Sequence, residues 1–168
     1  AQVRKDLSYL GEFGTRGIGY DVDALIVHLT RWLGLERARR AVIVGYGRLG
    51  SALQSYGGFQ DRGVSIVAVF DADSDKIGTD IGDMRIEPVD DIGKVIAREG
   101  VDIAILTVPA DVAQRAADAV VEAGIKAILN FAPVLLEVPA DVVVRQADVA
   151  AELQILSFHL SEAERTTT

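Results

Sequence analysis

A glycine-rich turn stands between an apolar strand and a helix near residue 45, and this arrangement restricts the possible folds more than any other feature. Apolar residues 41–44 predict the strand, and residues 49–56 predict the helix. Residues 45–50 read Gly-Tyr-Gly-Arg-Leu-Gly, in which the glycines suit a tight turn, a close approach of backbone to phosphate, and packing of helix on strand. Free N–H groups at the helix start attract an anion. The pattern predicts the pyrophosphate site of a dinucleotide; the alternative is a tight turn that binds nothing.

Asp71 closes a second strand, residues 64–71, which is almost wholly apolar and rich in β-branched side chains. Such a strand is typically buried on both faces of a parallel sheet. An acidic residue at its end, about 20 residues after the glycines, accepts hydrogen bonds from the hydroxyls of adenosine ribose. Only Ala-Asp-Ser-Asp separates Asp71 from Lys76, so a 2′-phosphate would meet carboxylates. The sequence therefore favours NAD(H) over NADP(H); the alternative is that Asp71 only caps the following turn.

Strands alternate with helices through the rest of the chain, which predicts an α/β fold with a Rossmann-type, doubly wound parallel sheet. Strands are expected at residues 41–44, 64–70, 102–108 and 127–130, with shorter ones near 83–86 and 142–144. Helices are expected at residues 21–33, 49–56, 91–99, 111–123 and 148–160. Because ligands lie at the carboxyl ends of such strands, one rim is expected to carry Gly45, Asp71, Thr107, Val108, Pro109, Asn130 and Phe131.

Composition limits the remaining possibilities. The 168 residues, 49% of them hydrophobic, suffice for one full domain and a smaller piece. The absence of cysteine excludes disulfides, thiolate chemistry and cysteine-ligated zinc. No apolar run is long enough to cross a bilayer, and no signal-peptide pattern opens the sequence, so we expect a cytoplasmic protein with no membrane partner. The net charge of −8 disfavours nucleic acid overall, yet residues 1–20 carry three basic and two acidic side chains and so differ from the acidic remainder.

The last predicted helix is apolar on most of its circumference. Its apolar side chains are Val149, Leu153, Ile155, Leu156, Phe158 and Leu160. Such a helix must be covered on most of its circumference, so we expect a homodimer that exchanges it between subunits. The alternative is an ordinary final helix packed on its own sheet.

Catalytic groups are missing from the predicted rim. The only histidines, His28 and His159, fall on helices away from it, and the chain leaves no room for a separate substrate domain. We therefore predict no catalytic residue and no metal site. A chain that binds a redox cofactor without the means to use it is expected to be a sensor rather than an enzyme.

The opening segment indicates what such a sensor controls. Residues 3–10 read as the end of a short helix, and residues 13–20 form a glycine-rich loop with Arg16 at its tip. A recognition helix followed by a β-ribbon wing has this appearance, with Lys5 suited to the major groove and Arg16 to the minor groove.

Together these motifs resemble the Rex family of redox-sensing transcriptional repressors. The family pattern R-K-D-L-S-Y-x-G-x-x-G-x-R-G-x-G-Y matches residues 4–20, and the resemblance continues through residues 44–53, 70–73, 107–109 and 128–133, nearly the whole chain. It implies a winged-helix DNA-binding domain joined to an NADH-binding Rossmann domain, in a homodimer with swapped C-terminal helices. It further implies that NADH releases the repressor from operators near respiratory and fermentative genes, whereas NAD+ leaves it bound.

The resemblance also assigns residues and domains. We expect a winged-helix remnant in residues 1–20, a linker helix in 21–38, the NAD(H)-binding domain in 39–147, and the swapped helix with its tail in 148–168. Tyr56 and Asp148 are expected to form the redox switch; the alternative is that Tyr56 packs under the sheet and Asp148 caps its helix. Cofactor binding is expected from Gly45, Tyr46, Gly47, Arg48, Leu49, Gly50, Asp71, Lys76, Thr107, Val108, Pro109, Asn130 and Phe131. DNA binding is expected from Arg4, Lys5, Ser8, Tyr9, Arg16 and Gly17.

The sequence departs from the family pattern at its start, because it begins inside the recognition helix. A truncated form of a longer parent is therefore expected, one that keeps cofactor binding and dimerisation but not binding to operator DNA. Two other functions remain open. One is a CoA- or nucleotide-binding domain of the acyl-CoA ligase type, which leaves residues 4–20 unexplained, and the other is a small NAD-dependent dehydrogenase, which the lack of an acid-base group disfavours.

Overall fold

A computed structural model describes residues 14–15, 19–32, 34 and 36–166. The chain divides into two compact units, one ending at Ala38 and the other beginning at Arg39. The predicted recognition helix in residues 3–10 lies outside the described residues, and so do Arg4, Lys5, Ser8, Tyr9, Arg16 and Gly17.

The first unit contains a small ribbon and one helix. Strands β1 (Gly14–Thr15) and β2 (Gly19–Tyr20) pair in antiparallel fashion, in agreement with the predicted β-ribbon. Helix α1 (Val22–Trp32) begins where the Asp21 carboxylate accepts a hydrogen bond from the Ala24 amide at 3.0 Å, which makes Asp21 its N-cap. No described residue of α1 is buried within the chain.

The second unit is built on a seven-stranded sheet. Its strands are β3 (Arg39–Val44), β4 (Val64–Asp71), β5 (Asp80–Ile81), β6 (Met84–Pro88), β7 (Ile103–Leu106), β8 (Ala127–Asn130) and β9 (Val143–Gln146). They lie in the order β5-β6-β4-β3-β7-β8-β9, and only β5 runs antiparallel to its neighbour. The six parallel strands follow the Rossmann order 3-2-1-4-5-6. The α/β fold with a doubly wound parallel sheet is therefore confirmed.

Four α-helices accompany this sheet: α2 (Arg48–Gln54), α3 (Ile92–Glu99), α4 (Ala110–Glu122) and α5 (Val149–Thr166). Two short 3-10 helices occupy Gly57–Arg62 and Val89–Asp91. The glycine helix is two residues shorter at its end than predicted, because Gly57 and Gly58 disfavour its continuation. The chain from β8 to β9, residues 131–142, is fully described and contains no helix.

The core fills both faces of the sheet, which explains why its central strands read as continuous apolar runs. The first face carries Val42 and Val44 and is covered by α3 and α4. The second face carries Ala41 and Ile43, against which Leu53 of α2 packs together with part of the following 3-10 helix. This second face is less covered at the β9 edge, where Val143 is 62% exposed.

Helix α5 is longer than predicted and has little cover within the chain. Its described side chains are exposed apart from that of Ala151, which is partly exposed. Leu153, Leu156 and Leu160 are each about 60% exposed or more. The described part of the chain therefore leaves the apolar surface predicted for this helix open. Within the described part of the chain, no helix combines the length and apolar character that a membrane span requires.

Candidate functional site

A cavity of about 970 Å³ opens at the carboxyl ends of β3 and β7, where the strand order reverses. This reversal is the point at which doubly wound sheets bind their ligands, and the volume is at the upper end of that of small-molecule sites. Four segments and one helix face line the cavity: residues 44–49, 71–76, 89–92 and 107–109, and α4. Most of the predicted rim residues therefore meet around one space.

The glycine turn after β3 has the geometry that its sequence predicts. Gly45 has a φ of 101°, and a Cβ atom built there would lie 2.8 Å from the Thr107 carbonyl oxygen. A Cβ atom on Gly50 would lie 2.0 Å from the Gly45 carbonyl oxygen, so this glycine is required for helix α2 to pack on the turn. A Cβ atom on Gly47 would meet nothing within 4 Å, and Gly47 lines the cavity. The turn is therefore tight on the protein side and open on the cavity side.

Thr107 holds this turn against the neighbouring strand. Its Oγ1 donates to the Gly45 carbonyl oxygen at 2.7 Å, and its backbone N–H donates to the Val44 carbonyl oxygen at 2.9 Å. The next two residues, Val108 and Pro109, then form an apolar part of the cavity wall. The segments after β3 and β7 are thus joined by direct hydrogen bonds.

Asp71 lies at the end of β4 and is only 8% exposed. Its Oδ2 accepts from the Tyr46 amide at 2.7 Å and from Lys76 Nζ at 3.2 Å, and its Oδ1 accepts from the Asp73 amide at 2.8 Å. Burial raises the pKa of this carboxyl, but the hydrogen bonds from Asp73, Tyr46 and Lys76 outweigh burial and hold the pKa below its ordinary value. Asp71 is therefore ionised and fixed at the edge of the cavity.

Lys76, which is also among the predicted cofactor residues, places a cation beside Asp71 at this edge. Its Nζ also lies 3.5 Å from an oxygen of Asp73. The hydrogen bond to Asp71 is the main reason that the pKa of Lys76 is raised. Two carboxylates still surround one ammonium, so the edge keeps a negative balance.

Nine of the thirteen predicted cofactor residues line the cavity, and four do not. Tyr46 contributes its amide to Asp71, while its side chain packs on the second face of the sheet. Gly50 is buried beneath the turn. Asn130 is fully buried, and Phe131 is partly buried on the second face. The nine that do line it are Gly45, Gly47, Arg48, Leu49, Asp71, Lys76, Thr107, Val108 and Pro109.

One wall of the cavity is formed by residues that were not predicted from the sequence. Helix α4 contributes Val112, Arg115, Ala116 and Ala119, and the segment before α3 contributes Val89, Asp90 and Ile92. The α4 residues are spaced i, i+3, i+4 and i+7, which is one face of a helix. This periodicity was available in the sequence, but it does not distinguish a cavity wall from ordinary core.

The two predicted switch residues lie outside the cavity lining. Tyr56 is 51% exposed, and its ring contacts Phe59 edge to face with 5.2 Å between ring centroids. Asp148 precedes α5, and its Oδ1 accepts from the Ala151 amide at 3.0 Å, which is the N-cap role. Neither His28 nor His159 lines the cavity. Within the described residues, no group of three or more acidic or histidine side chains is placed to hold a metal ion.

Comparisons with known proteins identify close relatives. The sequence profile of the CoA binding domain family matches residues 36–134. A redox-sensing transcriptional repressor Rex of Chloroflexus aurantiacus is 49% identical over 164 residues, which cover 98% of this chain and 77% of the relative. The Rex of Desulforamulus reducens is 50% identical over 165 residues, covering 98% of this chain and 79% of the relative.

Two solved structures are similar in fold and sequence. RSP in complex with beta-NAD+ and operator DNA has a TM-score of 0.88 at 39% identity, with 99% of this chain and 76% of RSP covered. RSP in complex with beta-NADH has a TM-score of 0.83 at 37% identity, with 99% of this chain and 77% of RSP covered. RSP is described as a Rex-family repressor.

Proposed function

This chain belongs to the Rex family of redox-sensing transcriptional repressors, and from that premise we propose that it responds to the NADH/NAD+ ratio. NADH bound in the cavity releases the repressor from operator DNA, and NAD+ leaves it bound. The relatives are named as transcriptional repressors, and a relative of known structure has been solved with NAD+, with NADH and with operator DNA. Residues 36–134 also belong to the CoA binding domain family, which shares this type of fold.

The observation that carries the proposal is the cavity at the reversal of strand order, in which Asp71 is fixed beside the glycine turn by the hydrogen bond from the Tyr46 amide. A dinucleotide placed there has its pyrophosphate at the free amides of residues 47–49 and its adenosine ribose at Asp71. The wall formed by α4 and residues 89–92 then receives the adenine. In this arrangement each group of the dinucleotide lies against residues that are chemically suited to bind it.

NADH is the preferred ligand for two reasons. The adenosine end faces Asp71 and Asp73 with only Lys76 between them, so the 2′-phosphate of NADPH meets a negative balance of charge. The nicotinamide of NADH is neutral and less polar than the cation of NAD+, so an apolar wall such as Val108 and Pro109 favours the reduced form. Phe131 is the further apolar residue that we assign to this end.

The chain works as a homodimer in which the C-terminal helix of each subunit packs on the other. Support comes from α5, which leaves Leu153, Leu156 and Leu160 exposed in its own subunit. The β9 edge of the second face leaves Val143 exposed as well. Apolar surface of this extent is characteristic of a protein interface. A dimer of this kind presents two DNA-binding modules to a two-fold symmetric operator.

Tyr56 and Asp148 form the contact through which the cofactor selects between two arrangements of the subunits. A phenol and a carboxylate form a hydrogen bond in one subunit arrangement and lose it in another. In the single chain the Asp148 carboxylate caps α5, so its second oxygen supplies the bond to Tyr56. Cofactor binding changes DNA affinity because it favours one of the two arrangements.

Operator binding tests this function directly. The chain covers 77% of the Rex of Chloroflexus aurantiacus, so it is fused to the part of that relative which it does not match. The affinity of this fusion protein for a two-fold symmetric operator is measured with NAD+ and with NADH. We expect tight binding with NAD+ and a loss of affinity with NADH.

Tyr56→Phe and Asp148→Ala should keep cofactor-free DNA binding and weaken the NADH response, whereas Lys5→Ala and Arg16→Ala should weaken DNA binding itself. Equal operator affinity with the two cofactors contradicts the proposal.

A further inference from the structure

The side chain of Asn130 at the end of β8 is fully buried, and its polar atoms are used within the protein. Its Nδ2 donates to the carbonyl oxygens of Ala132 at 3.2 Å and Val134 at 2.9 Å, and to Gln146 Oε1 at 2.9 Å. Its Oδ1 accepts from the Ala132 amide at 3.0 Å. A cofactor therefore does not reach this amide, although its position at the rim suggests a direct contact.

Gln146 completes the arrangement from the neighbouring strand. It lies opposite Asn130 in the β8–β9 register, and its Nε2 donates to the Ala132 carbonyl oxygen at 2.7 Å. That carbonyl oxygen is thus held by two amide side chains. Each amide acts as donor and acceptor at once, which a carboxylate or an apolar side chain of similar size does not do. The loop formed by residues 131–134 is fixed by these bonds.

The same loop is joined to the cavity wall on its other side. The Phe131 amide donates to the Leu106 carbonyl oxygen at 2.9 Å, and Leu106 directly precedes Thr107, Val108 and Pro109 of the wall. The adenosine half of a dinucleotide lies at β3 and β4, where Asp71 is placed. In a doubly wound sheet the other half lies across the reversal, over the strands that here are β7 and β8.

We propose that Asn130 and Gln146 are positioning residues that hold the loop of residues 131–134 where the nicotinamide end of the bound dinucleotide lies. The inference rests on the proposed function, because it takes the ligand to be NADH. Asn130 acts through the loop backbone, and Gln146 acts with it although it does not line the cavity. The two amides therefore affect the nicotinamide and not the ADP half of the ligand.

The test compares two ligands that differ only at that end. NADH and ADP-ribose, which lacks the nicotinamide, are titrated into the wild-type chain, Gln146→Glu and Asn130→Asp. Gln146→Glu places a carboxylate oxygen against the Ala132 carbonyl oxygen, and Asn130→Asp removes the donor to two loop carbonyls. NADH affinity should fall roughly tenfold in Gln146→Glu, as expected for one lost hydrogen bond, and by at least as much in Asn130→Asp, while ADP-ribose affinity changes by less than about twofold in both.

Arg145→Gln is the matched control. Arg145 is the neighbour of Gln146 on β9, its side chain lies on the opposite face of the strand, and its replacement changes the net charge by the same unit. It should leave both affinities unchanged. Gln146 is exposed on an edge strand, so if Asn130→Asp does not fold, Gln146→Glu alone decides the question.

The inference is overturned if the variants lower the affinities for NADH and ADP-ribose equally, since that is the effect of a general loss of structure. It is also overturned if Asn130→Asp weakens NADH and Gln146→Glu does not, because Asn130 would then contact the cofactor by itself. A wild-type chain that binds neither ligand refutes the proposed function together with this inference. A wild-type chain that binds both, with unchanged variants, refutes only the inference.

Discussion

The Asp71 carboxylate is hydrogen-bonded to groups of its own chain. Three donors reach it, namely two backbone amides and Lys76, and together they fix its position and keep it ionised. Its Oδ1 has only one internal donor and so keeps capacity for a ribose hydroxyl. The same contacts that stabilise the turn therefore prepare the residue for binding.

Asp71→Ala should weaken NADH binding by about 1–3 kcal/mol, because a charge-assisted hydrogen bond to ribose is lost. Binding of NADPH should suffer less, since a negative neighbour of its 2′-phosphate is removed. Asp75→Ala is the control, because this substitution removes the same charge at a residue that lies four positions away and does not line the cavity. Calorimetric titration measures all of these affinities. Equal losses in the two variants would show that only net charge matters.

Asp71 also predicts a pH dependence of stability. Because its pKa is lower in the folded protein than the ordinary 3.8, folding favours the ionised form. The resulting stabilisation is complete above pH 3.8 and disappears as the pH falls through the folded-state pKa. The difference in free energy of unfolding between the wild type and Asp71→Asn should be equal at pH 7 and pH 5 and smaller in stronger acid. Urea unfolding at each pH measures it, and a difference that stays constant into strong acid would exclude this role.

At the scale of elements, the junction of β3, the glycine turn and α2 combines close packing with an open ligand side. Gly50 allows the first turn of α2 to lie against the Gly45 carbonyl, and Thr107 fixes that carbonyl from β7. The start of the helix is thereby aimed at the cavity. The N-cap residue of α2 is Gly47, which has no side chain to cap the helix. The first amides of α2 therefore remain available for an anion.

Gly50→Ala should disrupt this junction, because the added Cβ atom would lie 2.0 Å from a backbone oxygen that does not move freely. We expect a loss of about 1–3 kcal/mol in the free energy of unfolding and a severe loss of NADH binding. Gly93→Ala in α3 is the control, since its Cβ atom would meet nothing within 4 Å. Thermal unfolding and NADH titration compare the two. If Gly50→Ala behaves like Gly93→Ala, the packing argument fails.

The elements also show what the sequence can predict. Strands β4 and β8 were predicted within one residue, because long β-branched runs bounded by turn residues have few alternatives. The β5–β6 hairpin was predicted only as one short strand, since two-residue strands carry little periodicity. Asn130 was placed at the rim by topology alone. Its buried amide is hydrogen-bonded to Gln146, which lies 16 residues further along the chain, and sequence patterns do not predict such a pairing.

For the molecule as a whole, α5 and the β9 edge of the sheet expose apolar surface that the described residues of the chain do not cover. The exposed side chains of α5 lie around most of its circumference. Exposure of these side chains to water is unfavourable, because burial of each large apolar side chain stabilises a protein by about 1.5–3 kcal/mol. The proposed homodimer would cover this surface with a second copy of the chain.

Leu156→Asp should convert the dimer to a monomer, because a carboxylate would then enter the apolar interface. Glu152→Ala on the same helix is the control. It should leave the dimer intact, since it removes a charge and introduces no polar group into the apolar interface. Analytical ultracentrifugation of the wild type and both variants measures the oligomeric state. A wild-type monomer, or a Leu156→Asp variant that remains dimeric, would contradict the exchange of α5.

The central claim is that the cavity distinguishes reduced from oxidised NAD. Calorimetric titration of the chain with NADH, NAD+, NADPH and CoA tests it most directly. NADH should bind more tightly than NAD+, both should bind more tightly than NADPH, and CoA should bind more weakly than NADH because its adenosine carries a 3′-phosphate that faces the Asp71 edge. Equal affinities for NADH and NAD+ would contradict redox sensing, equal affinities for NADH and NADPH would contradict the role of Asp71, and a preference for CoA would assign the cavity to a different ligand.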